Sequence, residues 1–323
     1  MSPLNVGVWG LGDHARRNLL PALAASPSTN LAAIATRNLD VLGEQAGLWS
    51  CDAMGSLDEM LTSAQVDAVF VATPIGCHYE DGLKVLKAGR HLWCEKAFTA
   101  EFSHAEDLIT AAESQDLSVC VSCPPFYHAQ FQALADLVEA GRIGAIRSIS
   151  ARFGFPHVDQ GNSRYDPDIG GGALLDMGFY TLAVPLRLLG RPATIAGASM
   201  ETESGYQIDT GGAALMRFDT GVTSSAEWGL GRDYINELTV WGETGVAIAQ
   251  PAFSKPGHLV PRLTVRRQNA EEDITIAESD QMAEMISVFA TAAEDPSLRQ
   301  QLRDEALAQQ KLLAHTRDAA LAD

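Results

Sequence analysis

Asn5-Val-Gly-Val-Trp9 is a short apolar run that passes directly into Gly10-Leu-Gly-Asp-His-Ala15 and then into a helical stretch, Arg16 to Ala24. Strand, tight turn and helix start in that order make the first βα unit of a dinucleotide-binding fold. Gly10 permits the turn, Gly12 lets backbone approach a pyrophosphate, and Ala15 allows close helix–strand packing. Asp13 and His14 stand between them at the start of the helix, whose unpaired N–H groups favour phosphate. One such turn is a weak signal, so the fold rests on the segments after it.

Those segments repeat the unit. Leu31–Ala35 reads as a second strand, Cys51–Ser56 as a short edge strand or turn, and Asp67–Pro74 (DAVFVATP) as a continuous buried strand ending in a turn. His91–Phe98 (HLWCEKAF) is a strand running into a loop, and Leu117–Ser122 a last strand, with helices expected at 39–48, 79–88 and 103–115. The succession predicts a doubly wound α/β Rossmann domain over residues 1–122, with its crevice at the carboxyl ends of the strands. Thr73, Pro74, His78, Glu95 and Lys96 fall at those ends. His78 reads either as a cofactor contact or as a cap or packed polar group. Glu95-Lys96 stands where open α/β sheets place their chemistry, although an exposed Glu-Lys pair is also a common surface feature.

The end of the second strand decides between nicotinamide cofactors. Thr36-Arg37 takes the place where an NAD site carries an acid for the ribose hydroxyls, and a hydroxyl beside a guanidinium suits a 2′-phosphate. NADP(H) is therefore the expected cofactor. Asp40 lies close enough in sequence to keep NAD(H) as the alternative.

Beyond Cys123-Pro-Pro125, a plausible hinge, the pattern changes to an α+β domain over 123–323. Ile146–Phe155 alternates with the period of a half-buried strand, and alternating runs recur at 193–201, 210–218, 222–228, 235–241, 245–249 and 262–266. They predict a largely antiparallel open sheet covered by helices on one face. Gly170-Gly-Gly172 opens a helix over 173–189 in which Asp176 and Tyr180, four apart, share a face. That face is a candidate site or an ordinary solvated one. Trp228, Val240 and Trp241 suggest an apolar sheet face that a second subunit covers, giving a homodimer or homotetramer.

Composition narrows the function. With 41 acidic and 23 basic residues the formal charge is −18, which repels a phosphate backbone and excludes nucleic acid as an expected partner. No stretch is read as reaching the roughly 20 apolar residues of a membrane span, so no membrane partner is expected. MSPLNVGVWG has no basic region followed by a hydrophobic core, which makes the cytoplasm the default location. The five cysteines are scattered, and the single CxxC, Cys120–Cys123, has no second ligand pair at zinc spacing; reduced thiols and no metal are expected.

Five elements in order, GLGDHA at Gly10, VATP ending at Pro74 with His78 after it, Glu95-Lys96, GRIGAIRSI from Gly141 and GGGALLDMGFY from Gly170 to Tyr180, resemble the Gfo/Idh/MocA oxidoreductase family over essentially the whole chain. The resemblance implies a nicotinamide at the cleft, Lys96 in the active site and Asp176 near the substrate. Many members carry His four residues after that Asp. Tyr180 stands here instead, as in members resembling glucose–fructose oxidoreductase, dimeric dihydrodiol dehydrogenase and deoxysugar ketoreductases. A second departure is Ala97, where the family usually has Pro. The implied chemistry is hydride transfer at a sugar carbonyl or hydroxyl carbon, with Tyr180 as proton donor, Lys96 as its cationic partner and Asp176 orienting. In this topology Arg152, His157, Asp159, Asn162, Arg164, Tyr165 and Asp168 border the cleft as donors for a polyhydroxylated substrate, and NADP(H) use points to reduction of a ketosugar, nucleotide-linked or free. The alternatives are an NAD(P)-dependent dehydrogenase of a free sugar, cyclitol or trans-dihydrodiol, and a non-catalytic nucleotide-binding regulatory protein retaining the fold.

Overall fold

The computed structural model describes residues 2–62, 65–255, 260–268 and 270–322. Its chain forms two units, Met1–Pro124 with Met282–Gln310, and Pro125–Gln281 with Lys311–Asp323. In the first, β1 (Leu4–Trp9) lies between β2 (Thr29–Ala35) and β4 (Ala68–Val71), and the full order is β3 (Asp52–Met54), β2, β1, β4, β5 (His91–Cys94), β6 (Val119–Val121). Every pairing in this sheet is parallel. Central strands of a parallel sheet are covered on both faces, which is why β4 is buried at every position and reads as an unbroken apolar run. The helices between strands are α1 (Leu20–Ala25), entered through a π-helical turn at Ala15–Leu19, α2 (Leu39–Trp49), α3 (Leu57–Thr62), α4 (His78–Lys87) and α5 (Phe102–Glu113). The order reverses between β1 and β4, so the switch point falls at the carboxyl end of β1, where the glycine turn stands.

In the second unit α6 (Ala129–Glu139) precedes β7 (Ile146–Phe155), and a π-helical turn at Leu174–Gly178 leads into α7 (Phe179–Leu189). The strands β8 (Ala193–Glu201), β9 (Gly211–Phe218), β10 (Thr223–Leu230), β11 (Ile235–Gly242), β12 (Val246–Gln250), β13 (Arg262–Arg267) and β14 (Ala270–Ile274) complete an eight-stranded sheet, order β14-β13-β12-β11-β7-β10-β9-β8. Only β7 and β10 pair in parallel; the rest is antiparallel. Helix α7 packs on β7 and β10, and α6 on β12 and β13. The sheet is the expected one with an added edge strand. β14 has no alternating apolar signal, since Ala270-Glu-Glu-Asp-Ile274 is almost wholly exposed. Pairing with β13 holds it, with Thr264 Oγ1 donating to Asp273 at 2.6 Å and Arg142 bonding Glu272 at 2.8 Å.

Three expectations change. Trp228 and Val240 are buried under the helices, so of the three residues read as an outward face only Trp241 is exposed, at 61 %, with Leu215 as its apolar companion on that side of the chain's surface. Strand alternation explains it, because Val240 and Trp241 are consecutive and must point to opposite faces. The C-terminal helices α8 (Gln281–Glu294) and α9 (Pro296–Leu321) give residues 282–310 to the first unit. Trp93 meets Phe289 edge to face at 5.6 Å, Arg303 donates to the carbonyl of Leu117, and Gln310 to that of Thr99 at 2.7 Å. Finally, the helical run 167–189 is long and apolar enough by composition to cross a membrane, contrary to the sequence reading, and 61 % of its most apolar window is buried inside the protein. A helix that covers a sheet and fills its core reads the same way.

Candidate active site

The first unit gathers its predicted residues at the carboxyl ends of four adjacent strands. Gly10 sits at φ +100°, and a Cβ there would lie 2.7 Å from the backbone of Ala72, so the ends of β1 and β4 touch through this glycine. A Cβ on Gly12 would meet nothing within 4 Å, while Ala15 is buried. Gly12 thus leaves an open cradle at the start of the helix. Asp13 pairs with Arg16, and His14 lies 3.1 Å from Asn18 Nδ2 and 3.6 Å from Glu95 Oε1, which brings the end of β5 to the glycine turn. Arg16 Nε and Glu95 Oε1 are buried without a hydrogen-bond partner among the described residues. An open cradle rimmed by unsatisfied polar atoms fits a dinucleotide.

Thr36 and Arg37 follow β2 at the same edge. Thr36 Oγ1 accepts from Asn38 N–H at 3.2 Å, and Arg37 is exposed. Burial raises the Cys77 thiol, as does Asp81, while the Arg37 charge opposes them. Asp40, the NAD alternative, lies in the first turn of α2, exposed. Thr73 Oγ1 donates to Asp81 Oδ2 at 2.9 Å, the same oxygen that takes Trp9 Nε1–H at 2.8 Å, which locks the ends of β1 and β4 to α4. The Lys96–Ala97 peptide is cis although no proline follows Lys96. His78 departs from the cofactor-contact reading. Its ring is wholly buried, burial lowers its pKa, and both nitrogens face backbone carbonyls.

In the second unit the glycine run is a matter of clearance. A Cβ on Gly171 would lie 2.5 Å from the Arg164 carbonyl, and one on Gly172, at φ +125°, would lie 2.3 Å from Asp209 Oδ1. The loop ahead of the helix folds back onto it at this point. Arg164 Nε donates to Asp176 Oδ2 at 2.5 Å, and Asn162 Oδ1 accepts from Arg164 N–H at 3.1 Å. Tyr180 packs edge to face on Phe153 at 5.8 Å and lies near Phe253. Asp176 lies in the π-helical turn and Tyr180 in α7, so the four-residue spacing spans a widened turn; such turns recur at functional sites.

His157, Tyr165 and Tyr206 form a second cluster, with His157 stacked on Tyr206 at 5.2 Å and bonded to Tyr165 Oη at 3.1 Å and Glu203 at 3.0 Å. Asp159 and Asp168 are exposed on the same loop region. Arg152 does not join these residues. Phe153 turns toward Tyr180, so its neighbour points to the other face of β7, where Arg152 bonds Glu237 at 2.9 Å.

Asp209 escaped the sequence reading. It lies in a connection without periodicity, yet its Oδ2 accepts from Leu174 N–H at 2.7 Å and its carbonyl accepts from Ala173 N–H. It thereby holds the start of the helix carrying Asp176 and Tyr180. Burial raises its carboxyl to about 6. Asp81, Glu203 and Tyr206 were missed for the same reason: only tertiary contact marks them.

Residues 4–123 match the model of the oxidoreductase family with an NAD-binding Rossmann fold, and residues 131–248 match the GFO/IDH/MocA C-terminal domain. The chain is 34 % identical over 292 residues to a dTDP-3,4-didehydro-2,6-dideoxy-α-D-glucose 3-reductase of Streptomyces antibioticus, covering 90 % of this chain and 89 % of that one. A protein of the same name from Actinomadura kijaniata is 33 % identical over 319 residues, 99 % of this chain and 96 % of that one. The crystal structure of a 3-ketoreductase from Actinomadura kijaniata with NADP and TDP-benzene superposes with a TM-score of 0.93 at 32 % identity, covering 98 % of each chain. The glycine turn, the reversed strand order and the mixed sheet are accordingly those of an enzyme, and the chain belongs to the Gfo/Idh/MocA oxidoreductase family, acting on CH–OH/C=O groups with a nicotinamide cofactor.

Proposed function

We propose that this enzyme uses NADPH to reduce the 3-keto group of a dTDP-linked 2,6-dideoxy sugar. The observation that carries the reading is likeness along nearly the whole chain to reductases of that name, at 33 % and 34 % identity. Gly10, Gly12, Asp13, His14 and Ala15 frame the pyrophosphate, Thr36 and Arg37 take the 2′-phosphate, and Thr73, Pro74 and Glu95 line the crevice. NADPH, when bound, supplies the hydride for the carbonyl carbon. Tyr180 gives its phenolic proton to the carbonyl oxygen, and Lys96 supplies the positive charge that oxygen needs as it becomes an alkoxide. Asp176, oriented by Arg164, accepts from a sugar hydroxyl, and His157 and Tyr165 offer polar contacts nearby. Five free thiols suit a reducing compartment such as the cytoplasm, and the exposed Trp241 and Leu215 suit self-association through the second sheet.

The test is loss of NADPH absorbance with a panel of ketosugars, free and dTDP-linked, run with wild type, Lys96→Ala and Tyr180→Phe. Turnover of the dTDP-linked 3-keto sugar and a fall of about 10²–10⁴ in kcat for Tyr180→Phe are expected. Preference for free sugars, or wild-type rates in both variants with cofactor binding intact, would overturn the reading.

A further inference from the structure

Helix α4 begins one 3₁₀ turn after Pro74, and its first residue, His78, has no exposed surface. Three backbone carbonyls surround its ring. Nε2 lies 2.7 Å from the oxygen of Thr73, and Nδ1 lies 3.0 Å from that of Ala97 and 3.2 Å from that of Phe98. Thr73 ends the β4 loop, and Ala97 and Phe98 follow Lys96 directly. Carbonyl oxygens only accept, and the neutral ring that burial favours carries a single N–H, so one side of the ring donates while the other only packs, and no solvent reaches the ring to replace a lost bond.

One turn further along the same helix Asp81 ties Trp9 and Thr73 together. Together the two side chains join the ends of β1, β4 and β5, the three strands that carry the glycine turn, Thr73 and Lys96. A loop such as Glu95–Thr99 has no ladder to fix it beyond the strand end, so its geometry depends on bonds of this kind.

We infer that His78 is a positioning residue for the reduction: its Nδ1–H holds the carbonyls of the Lys96 loop, and the ring, set against the Thr73 carbonyl, fills the space between that loop and the β4 loop. It touches neither substrate nor cofactor and acts on Lys96 through the Ala97 and Phe98 carbonyls. The inference rests on the proposed role of Lys96. A displacement of the ammonium by about 1 Å is enough to lose on the order of 10²-fold in rate while leaving the dinucleotide bound.

Three variants separate the two ends of the ring. The amide of His78→Asn reproduces a donor near Nδ1, that of His78→Gln one near Nε2, and His78→Leu keeps bulk without a donor. For each, kcat is measured on the carbonyl substrate that wild type turns over, NADPH affinity by fluorescence titration, and folding by thermal melting. We expect kcat to fall at least about tenfold in His78→Leu and His78→Gln, with NADPH affinity within about threefold of wild type, and His78→Asn to recover most of the rate. Rates within about twofold of wild type in folded His78→Leu would overturn the inference. So would a rate for His78→Gln equal to or above that of His78→Asn, a comparison that stands even if the leucine variant does not fold. Lys96→Ala runs in parallel: wild-type turnover there removes the catalytic role of Lys96, whereas a slow Lys96→Ala beside unimpaired His78 variants removes only the role of His78.

Discussion

Asp209→Asn tests how the helix bearing Asp176 and Tyr180 is held. In the folded chain the carboxyl accepts from Leu174 N–H at 2.7 Å, and burial raises its pKa from the ordinary 3.8 to about 6. A raised carboxyl pKa means that the native state binds this proton more tightly than the unfolded chain does. The stability the group contributes is therefore present in full below 3.8 and is lost as pH rises through about 6. At 1.36 kcal/mol for each tenfold change in proton affinity, that difference is about 3 kcal/mol, an upper figure because the side chain is not wholly enclosed. Asparagine keeps an oxygen for Leu174 N–H and carries no charge, so it removes the pH-dependent part and leaves only a constant offset. Urea unfolding of wild type and variant from about pH 4.5 to about pH 7.5 should show the variant gaining about 1–2 kcal/mol relative to wild type across that interval, which begins above the unfolded pKa and so misses the first part of the change. A stability difference that stays flat to within about 0.5 kcal/mol over the same range would refute the reasoning.

Two further outcomes concern the first unit. Arg37→Ser should weaken NADPH binding about 10- to 100-fold and leave NADH nearly unchanged, since it removes one charge-assisted contact to a group that only NADPH carries; equal effects on both cofactors in a fluorescence titration would remove Arg37 from the 2′-phosphate site. Gly10→Ala places a methyl 2.7 Å from the Ala72 backbone at a φ of +100°. It should lower stability by about 2 kcal/mol or more and abolish cofactor binding, and a variant that melts with wild type and binds NADPH normally would show that the β1–β4 approach is not required.

Much of the site was legible because it is local. The glycine turn, Thr36-Arg37 and Glu95-Lys96 each come directly after an apolar strand, and a parallel sheet brings consecutive strand ends to one edge whatever the details of packing. The spacing of Asp176 and Tyr180 marked one helix face as a candidate without deciding it, and the turn between them is π-helical. Arg152 was misplaced while its alternation was in view: beside Phe153 it has to face the other way once Phe153 is known to meet Tyr180. Trp228 and Trp241 are indistinguishable as residue types, and only their faces of the sheet separate a core residue from a surface one.

Periodicity and turn chemistry are properties of neighbouring residues, and from them the chain alone determined a Rossmann sheet, a largely antiparallel second sheet and the residues at the strand ends. The tertiary structure decided the rest. Asp209 capping a helix 35 residues earlier in the chain, His78 bridging two loops and residues 282–310 joining the first unit all depend on polar partners distant in sequence. A buried polar group is placed by whichever acceptor or donor the fold carries to it, and no local pattern records that.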